Sequence, residues 1–116
     1  MEVQVFGTKG DADTRKALRF FSERRVRTHF VDLRKRAASR GELQRFVQRF
    51  GADALVDRES GRFRALGLQT AHHGPERWLD VLEQEPLLLR TPLVRWQQRL
   101  TVGLAEEAWR EWVEGG

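Results

Sequence analysis

The 116-residue chain contains no cysteine. A chain without cysteine forms no disulfide, presents no thiolate to a metal ion and has no thiol nucleophile. The sequence therefore excludes every reaction that begins with a reactive thiol.

The chain also lacks a long apolar run. No stretch approaches the roughly 20 apolar residues that a membrane-spanning helix requires. Residues 1–6 alternate as in a strand and lack the basic-then-apolar pattern of a secretory signal. A hydrophobic content of 40% with 33% charged residues is typical of one soluble globular domain. We therefore expect a cytoplasmic protein with no membrane segment.

The net charge of +4 is unevenly distributed. Residues 1–49 hold 13 Lys or Arg against 6 Asp or Glu, whereas residues 50–116 hold 8 against 11. A basic half suits an acidic partner, although Arg-rich helices also occur simply as solvated faces. Exposed aromatic residues do not alternate with the basic ones, so a nucleic-acid partner is not expected.

Hydrophobic patterning predicts a βαβ unit in the first third of the chain. Val3–Val5 reads as a buried strand that ends before Gly7, and Val26–Leu33 reads as a second, parallel strand. Asp11 or Asp13 is positioned to cap the helix between them.

The rest of the chain predicts a helical insertion over approximately 36–86, followed by a hairpin and a closing helix. The fold class is α/β, with a mixed sheet in one domain over 1–116. The predicted elements are a helix from Ser39 or Gly41 to Phe50, short turns at 53–56 and 63–68, a helix opened by Gly74-Pro75, strands at 93–96 and 99–102, and a helix at 105–113. The apolar side of the first of these helices is expected to carry Leu43, Phe46, Val47 and Phe50.

Three segments in this order resemble the arsenate reductase (ArsC)/Spx family. The resemblance covers nearly the whole chain, and the combination of motifs is more specific than any one of them. They are the loop with Gly7, Arg15, Lys16 and Ala17; Ala54–Arg58 with Phe63–Leu66; and Glu85–Val94 with Leu100–Leu104.

The resemblance implies a thioredoxin-like (glutaredoxin-like) fold and also defines two departures. Asp11 occupies the position of the family's nucleophilic cysteine, so no catalytic residue is assigned. The family's oxyanion arginine directly precedes a proline; here that position is Thr91, and Arg90 lies one residue earlier. Pro92 corresponds to the family's cis-proline, with an ordinary trans proline as the alternative.

Several roles stay open for these residues. Asp11 is either a helix N-cap or, less readily, a carboxylate nucleophile, for which the chain offers no magnesium site or second acid. The resemblance suggests Arg15, Arg58 and Arg90 as a small-anion site, because guanidinium groups suit phosphate, sulfate or carboxylate. Alternatively, one of these arginines pairs with Asp11.

No cofactor or metal is predicted. His72 and His73 are adjacent in a loop and His29 lies on a strand, without the spacing of a metal site. Trp96, near the tip of the hairpin, is a candidate for an exposed contact, whereas the other tryptophans are expected in the core.

The resemblance therefore implies a binding or regulatory module without redox activity, not an enzyme. The Spx branch acts by binding RNA polymerase, and the basic first half suits such a contact. The missing cysteine pair excludes regulation by a disulfide. The alternative is an arsenate reductase-related oxidoreductase or an anion-binding enzyme that uses non-thiol chemistry.

Overall fold

The computed structural model of the protein describes residues 1–115. Its contacts group into two units. Met1–Asp32 and Thr91–Gly116 form what we call the sheet unit, and Leu33–Arg90 form the helical unit.

The sheet unit contains a four-stranded sheet in the order β2-β1-β3-β4. β1 pairs with β2 in parallel and with β3 antiparallel, and β3 pairs antiparallel with β4. This mixed α/β topology confirms the predicted fold class. The elements are β1 (Glu2–Gly7), α1 (Ala12–Glu23), β2 (Arg27–Asp32), β3 (Leu93–Trp96), β4 (Arg99–Val102) and α6 (Glu106–Gly115).

The core of the sheet unit is built around Trp109, which is fully buried on α6. Its ring lies 5.7 Å from Phe20 and 5.4 Å from Phe21, centroid to centroid, on α1. The indole Nε1 donates to Thr101 Oγ1 at 2.8 Å, so the polar atom of this buried ring has a partner. Val3 and Val5 of β1 belong to the same cluster.

The burial of Trp96 contradicts the expectation, drawn from the sequence, that its side chain is an exposed contact. Its side chain is only 8% exposed, so it is not the exposed contact residue of the hairpin. Its ring lies 6.1 Å from Trp112, and the Arg99 guanidinium covers it at 4.9 Å. The residues between β3 and β4, Gln97 and Gln98, are the exposed ones.

The helical unit contains four α-helices and two short 3₁₀ turns. Ser39 caps α2, and Gly51, with φ of 82°, ends it in a conformation that favours glycine. Phe50 was expected on the apolar side of α2, but it is 37% exposed at the helix end. The elements are α2 (Arg40–Phe50), α3 (Ala52–Leu55), α4 (Gly61–Ala65), α5 (Pro75–Gln84), and the 3₁₀ turns Leu68–Thr70 and Pro86–Leu88.

The helical unit also holds six ion pairs. Arg40 on α2 contacts Glu76, Asp80 and Glu83 of α5 at 3.1, 2.7 and 3.3 Å. The hydrogen bond to Asp80, then that to Glu83, raises the pKa of Arg40. In the same described part of the chain, no helix is long and apolar enough to cross a membrane.

Glu42 completes a reciprocal cap at the start of α2. Glu42 N donates to Ser39 Oγ at 3.1 Å, and Ser39 N donates to Glu42 Oε1 at 2.8 Å. Arg36 Nη1 lies 3.5 Å from the same carboxylate oxygen. Burial raises the pKa of Glu42, but the hydrogen bonds from Ser39 and the Arg36 charge together outweigh it and lower the pKa below 4.5.

We predict that Glu42→Gln lowers stability at neutral pH but not in strong acid. Because the folded-state pKa of Glu42 is lowered, its ionised form stabilises the protein above the unfolded-state pKa, and this contribution disappears as pH falls through the folded-state pKa. Urea unfolding at stepwise pH values measures the difference from wild type. Glu114→Gln, at an exposed position of α6, is the control. A difference that stays constant down to the lowest pH would contradict the prediction.

Candidate functional site

The candidate site is the loop between β1 and α1. β1 ends at Gly7, and α1 begins at Ala12 after the N-cap residue Asp11, whose φ and ψ of −85° and 125° are extended. Asp11 N donates to Thr8 O at 3.1 Å, which closes the loop before the helix. Of the two predicted caps, Asp11 is the one used, and Asp13 lies in the first helical turn.

One oxygen of the Asp11 carboxylate accepts three hydrogen bonds. Its Oδ2 lies 3.0 Å from Thr14 N, 2.7 Å from Thr14 Oγ1 and 2.9 Å from Thr91 Oγ1. Thr14 is fully buried, whereas Asp11 and Thr91 are half-buried. Among residues 1–115 nothing donates to Oδ1. Asp11 thus joins the start of α1 to the segment that enters β3.

Gly7 is required by the position of Thr14. A Cβ atom built on Gly7 would lie 2.6 Å from Thr14 Cγ2 and would also collide with Thr14 Oγ1. The end of β1 therefore approaches α1 as closely as its backbone allows. This close approach helps to fix the buried threonine that donates twice to Asp11.

Thr91 and Pro92, just before β3, form the part of the site opposite the start of α1. The Thr91–Pro92 peptide bond is cis, the isomer that the family resemblance implies. Pro92 O accepts from Gly103 N at 2.8 Å, next to the paired ends of β3 and β4. The Thr91 hydroxyl in this segment donates to Asp11 Oδ2 at 2.9 Å.

Arg15 does not pair with Asp11. It is exposed on α1, and its Nη1 donates to Lys9 O at 2.8 Å within the loop. In the described part of the chain the Asp11 side chain has the two threonines as partners instead. Arg15 is therefore not an arginine that pairs with Asp11.

The other two candidate anion-binding arginines lie in the helical unit. Arg58 Nη2 pairs with Asp53 Oδ1 at 3.0 Å, and its guanidinium lies 5.6 Å from the ring of Phe63. Arg90 is exposed, and its backbone N–H donates to Leu55 O at 2.7 Å. The convergence of Arg15, Arg58 and Arg90 on one anion stays a prediction.

Histidines do not form a metal centre in the described residues. No group of three His, Cys, Asp or Glu side chains there is arranged to hold a metal ion. His73 packs edge-on against Trp78, with ring centroids 4.8 Å apart, and His29 is exposed on β2.

Two residues of the site were not singled out as partners from the sequence. Thr14 stands three residues after Asp11. The side chain of a capping aspartate normally accepts a hydrogen bond from the backbone N–H at this position, so the spacing could have indicated Thr14 as a partner. Thr91 was noted only because it stands where an arginine was expected. Nothing local in the sequence indicates that it reaches Asp11, 80 positions earlier.

The arrangement suits a structural carboxylate better than a reactive one. A helix N-terminus stabilises negative charge, and the three donors to Oδ2 fix the side chain. Carboxylate oxygens form no bond equivalent to a disulfide or an arsenic–sulfur bond. The negative charge also opposes an incoming oxyanion at this loop.

The fold and this loop define a thioredoxin-like α/β protein. Among solved structures, it is similar to an arsenate reductase from Vibrio cholerae, with a TM-score of 0.83 at 18% identity over 96% of this chain and 97% of that one. An ArsC family related protein from Bacteroides fragilis gives a TM-score of 0.86 at 16% identity over 96% and 97%.

The sequence comparisons establish the family. The ArsC family model matches residues 6–112, and the chain belongs to the ArsC family. It is also 24% identical over 115 residues to the global transcriptional regulator Spx 2 of Oceanobacillus iheyensis, covering 97% of this chain and 84% of that protein.

We predict that Gly7→Ala destabilises the protein by about 1–3 kcal/mol, the usual cost of overpacking a buried contact. The added methyl group would collide with Thr14, which is buried and bonded to Asp11. Gly10→Ala is the matched control, because a Cβ there meets nothing within 4 Å. Urea unfolding of both variants measures the difference. Equal stabilities would show that Gly7 is not sterically required.

Asp11→Ala is expected to lower stability by about 2 kcal/mol, at the upper end of the range for a lost N-cap, because two threonine hydroxyls also lose their acceptor. Asp13→Ala, which removes a carboxylate from the same turn but no cap, should cost less than about 1 kcal/mol. Thermal and chemical unfolding compare the two. A larger loss of stability for Asp13→Ala than for Asp11→Ala would show that Asp11 is not the residue that caps α1.

Proposed function

We propose that this ArsC family protein is a non-catalytic binding module with a regulatory role. The observation that carries the proposal is Asp11, which stands at the position of the family's cysteine and is held by Thr14 and Thr91. No cysteine elsewhere in the chain replaces the missing nucleophile. The fold is kept while the group required for thiol chemistry is absent.

The proposed partner is RNA polymerase, within the cytoplasm. This choice rests on the Spx resemblance and on the similarity to a protein named as a global transcriptional regulator. The basic first half of the chain supplies a suitable surface on α2. Arg45 and Arg49 lie one turn apart there, both exposed, and neither forms an ion pair with another residue in the range 1–115. Such unpaired cations favour an acidic surface on the partner.

The second candidate function is that of an enzyme related to arsenate reductase that binds a small anion and uses non-thiol chemistry. It is favoured by Arg90, whose exposed guanidinium has no hydrogen-bond or ion-pair partner among the residues described. Arg15 and Arg58 would complete the anion site by analogy with the family. The carboxylate of Asp11 weighs against a negatively charged ligand at the loop itself.

We expect the wild-type protein to reduce no arsenate above background when supplied with glutathione and glutaredoxin, or with thioredoxin and its reductase. The physical reason is that no atom in the chain forms the sulfur–arsenic bond that the thiol pathway requires. Release of arsenite is the measurement, and an active ArsC reductase is the positive control. Turnover by the wild-type chain would reject the non-catalytic role.

A direct binding measurement tests the partner. Immobilised RNA polymerase from the source organism should bind the wild-type chain, with an affinity that falls as salt rises. Arg45→Glu/Arg49→Glu should weaken binding about tenfold or more, because two attractions become repulsions.

The matched control for this measurement is Arg64→Glu/Arg77→Glu, which makes the same change in charge at exposed positions of the second half. It should bind within about twofold of wild type if the contact is on α2. Absence of binding by the folded wild-type chain would reject the proposed partner. Equal losses in both double variants would reject the α2 surface.

A further inference from the structure

A groove on the sheet unit is lined by an acidic and a basic side chain, Glu2 and Arg95, which form no ion pair with each other in the described chain. Its volume is about 210 Å³. It lies on the face of the sheet opposite to the core residue Val3, because side chains alternate along a strand. The groove is lined by Glu2, Val3, Gln4, His29, Arg95 and Gln97.

Strand register places three of these residues in a row. Gln4 on β1 is the register partner of His29 on β2 and of Arg95 on β3. Neighbouring strands lie about 4.8 Å apart, so the imidazole and the guanidinium start from positions about 10 Å apart on either side of Gln4. The groove lies between these two side chains, beside Gln4.

The Arg95 side chain is anchored by a hydrogen bond to the turn that follows β3. Its Nε donates to Gln97 O at 2.8 Å, and Gln97 adopts a left-handed conformation with φ of 56° at the turn between β3 and β4. Within residues 1–115 the two Nη groups have no partner. A guanidinium anchored through Nε offers these two groups to a carboxylate, and less side-chain freedom is lost on binding.

Glu2 supplies the opposite charge at the other end of the groove. It lies on the same face as Gln4, one pleat repeat or about 6.6 Å along β1. Arg27 is its register partner on β2, yet neither Arg27 nor Arg95 forms an ion pair with Glu2 in the described chain. The groove thus separates an exposed carboxylate from an anchored guanidinium.

We propose that this groove binds a free α-amino acid as a zwitterion. The ligand carboxylate contacts the Nη groups of Arg95, and the ligand ammonium contacts Glu2. His29, on the wall opposite Arg95, forms a hydrogen bond with the ligand. A simple carboxylate or a simple amine satisfies one end only. This site is separate from the Asp11 loop and goes beyond the proposed binding of RNA polymerase, so either proposal can fail without the other.

Nuclear magnetic resonance of the ¹⁵N-labelled full chain tests the site, with glycine, acetate and methylammonium as probes at constant pH and ionic strength. Glycine is expected to bind with a dissociation constant of about millimolar, as suits a ligand of so few atoms. The shifted amides should cluster at Gln4, His29 and Arg95. Acetate and methylammonium should bind about tenfold or more weakly, because each lacks one charged contact.

Variants separate the two ends of the groove. Arg95→Gln should weaken glycine binding about tenfold or more, and Glu2→Gln should reduce it to the level of acetate. Arg95→Lys keeps the charge and removes the paired donors, so this variant should also bind glycine more weakly. It provides the test if the Arg95→Gln variant does not fold. Arg110→Gln, at an exposed position of α6, is the control and should bind as wild type does.

Three results would overturn the proposal. The first is no response to glycine at concentrations well above millimolar. The second is equal binding of glycine and acetate, which would leave Glu2 without a role. The third is glycine binding that survives Arg95→Gln and Glu2→Gln in folded protein.

Discussion

The geometry of the loop depends on one carboxylate oxygen. Asp11 Oδ2 accepts from Thr14 N, Thr14 Oγ1 and Thr91 Oγ1, all within 3.0 Å. Two of these donors belong to the helix that Asp11 caps, and the third comes from the segment leading into β3. A single side chain therefore ties the βαβ unit to the terminal hairpin, and the buried Thr14 in turn requires glycine at the end of β1.

This network gives the carboxylate at the start of α1 a structural role, because it caps the helix and bonds to the segment before β3. A thiolate and a carboxylate both benefit from the helix N-terminus, so the same fold accommodates either group. They differ in what they can do next, since a carboxylate forms no disulfide and no arsenic–sulfur bond. Membership of the ArsC family thus describes the scaffold, while Asp11 limits the chemistry available to it.

Much of the fold was predictable because its signals are local. Alternating apolar residues marked β1, and the spacing of Gly74-Pro75 before an apolar stripe marked α5. Two local interpretations were wrong for reasons of packing. Trp96 precedes the hairpin turn but is covered by Trp112 and Arg99, and Phe50 follows the helical pattern to a helix end where less protein surrounds it.

The site was predictable only in part. The capping role of Asp11 follows from residue type and position, and the family resemblance pointed to Pro92. The Thr91–Asp11 hydrogen bond was not accessible, because it joins residues 80 positions apart and depends on how β3 pairs with β1. In the same way, the groove beside Gln4 arises from strand register, which brings together three residues that are distant in the sequence.

A double-mutant cycle on Asp11→Ala and Thr91→Val tests the central claim most directly. Valine keeps the approximate shape of threonine and removes the hydroxyl that donates to Asp11. If the carboxylate links the two segments, the free energies of unfolding should be non-additive, with a coupling of about 1 kcal/mol or more. Additive losses, with a coupling indistinguishable from zero, would contradict the account.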